Sequence, residues 1–319
     1  MKNVFLIFAF LSLCFGAYAQ SEMPIVFSLN GNARIKTPDA EKAIKLRTGD
    51  QLAENGRIIL KEDTEVGIIF DDEFIYLKEP GRYQVAELME PGKTEESEAT
   101  ELFNVRLQEA INPYFGTVKL QRAGFAALST GSVRTSLPPK KGTRSGHGNK
   151  DNALVRKMPI GGKVSGPEVT FAWMLLDSSF KAKEFELMIM DPSGKVLLEK
   201  EVKKRNAIVD FSSLEIEPGS NFTWQVKSKS DPSKNTGEIT VEYAPASAAT
   251  EALQIIQEDP AYQMASPAAK MLMEATAYEQ ANLLSKASET YKTVRQEFKK
   301  DRLGKLMYFA FLWRHDLVK

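Results

Sequence analysis

The sequence predicts a multidomain chain: a small all-β domain, then a β-sandwich, then an α-helical C-terminal hairpin. Residues 24–86 are short apolar runs separated by Asn-Gly, Pro-Asp, Thr-Gly-Asp and Pro-Gly, the spacing of short strands and tight turns. Residues 153–244 repeat that pattern in about seven runs, and beyond residue 245 the apolar period changes to 3.6. A chain of 319 residues that is 43% apolar and 26% charged has the length for about two domains and the composition of a folded protein.

Residues 1–19 read as a signal peptide. Lys2 supplies the positive start, Val4 to Phe15 the apolar stretch, and Ala17-Tyr18-Ala19 the small-x-small exit. The apolar run is shorter than the roughly 20 residues of a membrane span. Cys14 follows Leu13, which is large where a lipoprotein cleavage site wants a small residue. Cleavage after Ala19 would remove the single cysteine and leave a mature chain without disulfides, cysteine zinc ligands or a cysteine nucleophile. The expected location is therefore outside the cytoplasm: the periplasm, or the cell surface and extracellular space.

Residues 20–137 are expected to form the first β-domain, with one helix. Within it "IIFDDEFIYL" sets Asp71, Asp72 and Glu73 between two apolar runs. A two-residue turn at Asp71-Asp72 pairs Phe70 with Glu73, Ile69 with Phe74 and Ile68 with Ile75. Val66, Ile68, Phe70, Ile75 and Leu77 then share one face, and Ile69, Phe74 and Tyr76 the other. The turn accounts for every residue in the stretch, whereas a metal site accounts for three and finds no nearby histidine. "LRTGDQLAENGRIIL" followed by "EVGIIFDDEFIYL" resembles the FecR-type domain of bacterial envelope proteins, through Leu46, Gly49, Asp50, Leu52, Gly56, Ile58, Phe70 and Asp71. Asp72 and Glu73 stand where that pattern has Gly and Ser. The resemblance implies a β-fold and an envelope setting, without the membrane span and cytoplasmic segment of the signalling members. Residues 95–111 predict a helix with Phe103, Leu107, Ala110 and Ile111 on one face, stopped by Asn112-Pro113. Residues 116–137 look extended.

Residues 138–152, "PPKKGTRSGHGNKDN", form a polar, Gly-rich basic linker. Charge is segregated around it. Asp50 to Glu101 holds fifteen acids and five bases, whereas Lys119 to Lys163 holds ten bases and one acid. Lys140, Lys141, Arg144, Lys150, Arg156 and Lys157 are the candidate contacts to an anionic ligand, such as a glycan or a lipid surface. The same bases suit docking onto the acidic first domain.

Residues 153–245 suit an immunoglobulin-like sandwich, since their strand count and turn spacing match one. "PEVTFAW" with "IEPGSNFTWQV" is similar to the fibronectin type III pattern, and Trp173 and Trp224 are expected as core anchors. Residues 246–319 form the helical tail. In it Ala275, Tyr278, Ala287 and Tyr291 are spaced as in a tetratricopeptide hairpin. Such a hairpin must pack on the sandwich, on its own copy or on a partner.

Catalytic chemistry finds no motif here. There is no G-x-S-x-G, H-E-x-x-H or C-x-x-C, and "GGKVS" lacks the residues of a phosphate loop. His147 lies in the linker and His315 near the end, so neither is expected in a rigid, water-excluded setting. No catalytic residue, metal or cofactor is assigned. The expected function is that of an exported bacterial envelope protein acting as a non-catalytic binding or assembly module. Its expected partners are envelope proteins or anionic envelope polymers, without nucleic acid, and with self-association through the helical tail. The alternative is a secreted carbohydrate-active or carbohydrate-binding protein.

Overall fold

The computed structural model describes residues 23–70, 73–90, 92, 94–111, 154–175, 180, 182–315 and 317. The expected signal peptide, the Asp71-Asp72 turn, residues 116–137 and the linker 138–152 lie outside the described residues.

The first strands are β1 (Ile25–Asn30), β2 (Arg34–Lys36), β3 (Ile44–Lys45), β4 (Arg57–Leu60), β5 (Glu65–Phe70), β6 (Glu73–Leu77) and β7 (Gly81–Gln84). A one-turn helix α1 (Val85–Leu88) and a short β8 (Glu95–Glu96) follow. They form two antiparallel sheets, ordered β1-β5-β6-β8 and β3-β2-β4-β7. The β5–β6 ladder pairs Phe70 with Glu73, Ile69 with Phe74 and Ile68 with Ile75, the register that the turn position predicts. Val66, Ile68, Ile75 and Leu77 enter the core between the two sheets with Val26, Leu46, Leu52 and Ile58. Ile69 and Phe74 point the opposite way, into a second core shared with helices. A sheet buried on both faces has no solvated side, which is why this hairpin reads apolar on both faces.

Gly67 sits on the helix-side face of β5. A Cβ there would lie 2.7 Å from Phe27 Cε1 and 2.9 Å from Tyr76 Cε2, so the two rings close over a hydrogen atom. Gly67→Ala is expected to cost about 1–3 kcal/mol by overpacking. A urea titration checks this: the midpoint should fall with the slope unchanged.

Helix α2 (Glu98–Ile111) buries Phe103, Leu107 and Ala110, as its periodicity predicts. It starts later than the expected residue 95 because Glu95 and Glu96 pair with β6 first. The Ser97 hydroxyl then accepts the Thr100 amide at 2.9 Å and caps the first turn.

The sandwich comprises β9 (Leu154–Met158), β10 (Lys163–Ser165), β11 (Glu168–Leu175), β12 (Phe185–Met190), β13 (Val196–Val202), β14 (Asn206–Asp210), β15 (Asn221–Ser228) and β16 (Ile239–Ala244). One sheet runs β10-β16-β15-β12-β13 and the other β14-β11-β9. β10 lies parallel to β16, and the chain changes sheets between β13 and β14. That order is an immunoglobulin-like sandwich. Trp173 and Trp224 are both buried in its core, the latter edge-on to Phe171 at 5.2 Å and the former to Phe185 at 5.5 Å. Of the described strands here, sequence patterning misses only β10, three residues within "GGKVS".

Helices α3 (Ala248–Gln257), α4 (Pro260–Met264), α5 (Pro267–Gln280), α6 (Leu284–Glu297) and α7 (Arg302–Arg314) complete the chain. Asp259, Ser266 and Asp301 cap α4, α5 and α7, and Pro260 and Pro267 occupy first turns where no amide is needed. α5 and α6 form a hairpin that buries Ala275, Ala287 and Tyr291. Its surroundings differ from expectation. Besides touching the sandwich at β10, the helices pack on α2 and on β1, from the other end of the chain. Phe27 and Phe103 meet edge-on there at 6.3 Å, inside one core with Leu272, Tyr291, Leu303 and Phe311. Sequence order hides this, because α2 precedes the sandwich while the helices it joins follow it. Among the described residues no helix is long and apolar enough to cross a membrane.

Candidate functional site

Polar side chains converge where the helices meet the first β-domain and one another. The Thr48-Gly49-Asp50 turn receives the start of α7. Thr48 donates to Asp301 at 2.9 Å, and Arg302 Nη1 donates to Asp50 Oδ1 at 2.7 Å. Gly49 has φ +79°, a conformation that favours glycine, and packs beneath Leu303 and Leu306. Arg302 is half exposed, so Arg302→Ala is expected to cost less than about 1 kcal/mol. The apolar contact of Leu303 carries the joint, and thermal melts of Arg302→Ala and Leu303→Ala would rank the two.

Two further ties lie along the same seam. The Ser266 amide donates to Ser28 Oγ, which is 2.8 Å from the Tyr76 hydroxyl. Burial pushes that phenol up to about 12, against the lowering effect of the Ser28 hydrogen bond. Asp259 accepts from Ser97 Oγ and from the Ala99 and Ala261 amides, so one carboxylate caps both α2 and α4.

A cluster of charges lies where α2, α5 and α7 meet, beside α6. The Glu279 side chain is 2% exposed. Arg314 donates to both its oxygens, from Nε at 2.8 Å and from Nη2 at 2.7 Å. His315 Nε2 lies 2.9 Å from Oε1. Glu109 accepts from Arg314 at 3.0 Å and from Arg106 at 3.2 Å. Burial alone would raise the Glu279 carboxyl, but hydrogen bonds from His315 and Arg314 and the charges of Arg314 and Arg106 outweigh it and hold it down to about 2. An ionised carboxylate only accepts, so His315 Nε2 carries the proton in this contact. The same burial pushes the Tyr291 phenol above its ordinary range. At neutral pH this arrangement fixes charge in place and ties α2, α5 and α7 together. His315 is thus better anchored than its position in sequence suggests, since its ring also packs on Phe311 at 4.8 Å.

Two clefts open beside these seams. One, of about 310 Å³, is bordered by Ile35, Ile44, Asp50, Ile111 and Arg302, between the first β-domain and the helices. The other, about 470 Å³ and shallow, runs between the sandwich and α6, with Glu168, Asp210, Ser212 and Lys286 on its walls. Asp210 is committed there to the Ser212 amide and hydroxyl, at 2.9 and 2.5 Å.

The anion contacts suggested by sequence fare unequally. Lys140, Lys141, Arg144 and Lys150 lie outside the described residues, while Arg156 and Lys157 belong to β9, whose backbone pairs with β11. Of the three consecutive acids, Glu73 accepts a hydrogen bond from Thr94, and Asp71 and Asp72 lie outside the described residues. Sequence reasoning passed over Glu279, Arg314, Asp259 and Asp301. The caps Asp259 and Asp301 had a signal, an acid directly before a helical run. Glu279 and Arg314 had none, because their meeting depends on how α5 and α7 pack.

No family model matches this chain, and no curated protein does. Among solved structures it is similar to the FN1–FN3 domains of chicken CNTN1, at 12% identity over 70% of this chain and 62% of that chain, with a TM-score of 0.22. It is also similar to the fibronectin(III)-like modules of Clostridium thermocellum CbhA, at 8% identity over 71% of this chain and 82% of that chain, with a TM-score of 0.21. The sandwich assignment rests on the strand order given above.

Proposed function

We propose that this chain is an exported bacterial envelope protein and a non-catalytic binding or assembly module. In this reading a FecR-like β-domain and a tetratricopeptide-like hairpin form a platform that holds a fibronectin type III-like sandwich. The observation that supports it is the helical layer. Helices from both halves of the chain share one core, grip β1 on one side and meet β10 on the other. The buried charges of the seam are spent on joining elements, as a protein that presents a surface requires. Envelope proteins and anionic envelope polymers are the partners proposed, with the basic residues around the linker as contacts.

Cosedimentation of the purified mature protein with acidic polysaccharides and with anionic vesicles, followed by product sizing, tests the reading. Salt-sensitive binding with the polymer left at its original length is expected. Shortening of the polymer would instead make the chain an enzyme. Absence of binding to either probe would remove the anionic partner.

A further inference from the structure

We infer that the exposed ridge Lys203-Lys204-Arg205, with Lys183 beside it, is a docking surface for an acidic polysaccharide. This rests on the anionic-ligand part of the proposed function and places its contact on the folded sandwich.

The ridge is the crossing from β13 to β14, where the chain leaves one sheet for the other. All three cations are exposed. They are anchored on either side by Val202 and Ala207, both buried in the sandwich core. The Arg205 carbonyl accepts the Trp173 amide at 3.1 Å, so the ridge is tied to the central strand of the smaller sheet. Three successive Cα atoms span only ~7–8 Å, which concentrates the charge. Among the described residues neither Lys204 nor Arg205 has a carboxylate partner. Glu201, the nearest acid in sequence, is held by Lys229. A crossing of this kind needs no basic residue for its own geometry, and three adjacent like charges repel. An anion that neutralises them gains that repulsion back.

Register sets the exposed Glu184 level with Lys203, where Glu201 also feels the Lys203 charge, and brings further bases to the rest of the ridge. β12 pairs Phe185 with Val202, and continuing that register by two residues sets the exposed Lys183 level with Lys204. On the smaller sheet Ala172 pairs with Asn206 and Leu175 with Leu154, so the start of β9 lies level with Lys203. β9 therefore begins at this same end. A linear polymer with repeating charges can follow a narrow ridge. A flat bilayer meets only its crest and gains most where apolar anchors line the same rim. The large exposed apolar residue nearest in sequence, Ile208, lies beyond the ridge, on β14.

Binding of the full mature chain to polygalacturonate and dextran sulfate at low salt is the test, with neutral dextran as control. Changing Lys203, Lys204 and Arg205 to Gln is expected to weaken binding about tenfold or more, with the melting temperature held. A matched variant with Lys36, Arg57 and Lys61 changed to Gln removes the same charge from the first β-domain. Equal loss in both would mean that only net charge matters and would overturn the ridge. Wild-type affinity in the ridge variant would also overturn it. If Lys140, Lys141 and Arg144 changed to Gln then abolished binding, the linker reading would stand without the ridge. No polymer binding by the wild type sinks both readings. Preference for phosphatidylglycerol vesicles over either polymer would overturn the polysaccharide assignment.

Discussion

Replacing Glu279 by Ala is expected to cost about 3–5 kcal/mol, because it strands the Arg314 guanidinium in the helical layer. Arg314 would lose both hydrogen bonds to Glu279 and keep only Glu109 at 3.0 Å. Changing Glu279 and Arg314 together to Leu and Met should recover most of the loss, since no buried charge then remains. Chemical denaturation of the two single variants and the double variant measures the coupling directly. A loss below about 1 kcal/mol in Glu279→Ala would show that water reaches Arg314 and that the cluster does not tie the helices.

The same carboxylate gives the fold an acid dependence. Its folded-state pKa, about 2, lies below the ordinary 4.5, so the native state binds fewer protons there than the unfolded state. The stabilisation is complete above pH 4.5 and drains away as pH falls toward 2. It amounts to roughly 3 kcal/mol. Glu279→Gln keeps the shape and removes the titration. Its stability deficit against wild type should therefore be largest near neutrality and shrink through that acid window. A deficit constant with pH would mean that Glu279 titrates alike in the folded and unfolded states, with no stabilisation of its charge in the fold.

The sandwich and the first β-domain were legible because their signals are local. Alternating apolar residues with Gly or Pro punctuation fix strands within a few positions, and the Phe70–Glu73 ladder follows from turn length alone. Trp173 was readable as an anchor from its apolar neighbours. The union of α2 with α3–α7 was not read, although its mark was present. Ile69, Phe74 and Tyr76 form an apolar face that the domain's own second sheet does not cover, so some other element had to. α2 covers part of it and helices that follow the sandwich cover the rest, a choice made by shape complementarity, about which periodicity carries no information. The Lys203-Lys204-Arg205 run was overlooked for a similar reason. The sandwich has acids nearby in sequence, and only the fold shows that, among the described residues, Lys204 and Arg205 have no carboxylate partner.

Cutting the chain between Ile111 and Leu154 should leave its two parts bound to each other. A protease site inserted after Lys141 would permit the cut. Read as separate domains joined by a linker, the products would be two independent fragments. The structure predicts one complex, because α2 and the β1-β5-β6-β8 sheet share a core with α3–α7. The Asp259, Asp301 and Arg314 ties also cross from one fragment to the other. Size-exclusion chromatography of the cut protein should give a single native peak that separates only in denaturant. Phe103→Ala is the decisive companion. Phe103 is buried at the junction, against Phe27, and its truncation should cost about 3–5 kcal/mol. In the uncut chain that loss lowers the melting temperature. In the cut protein the same loss falls on the association, where each 1.4 kcal/mol is tenfold, so affinity should drop by roughly two to four orders of magnitude. Fragments that part at once in the wild type would show that the helices do not hold the first β-domain. Fragments that stay together equally well with Phe103→Ala would place the holding contact elsewhere on the seam, at Leu303 or at the Ser28–Ser266 tie.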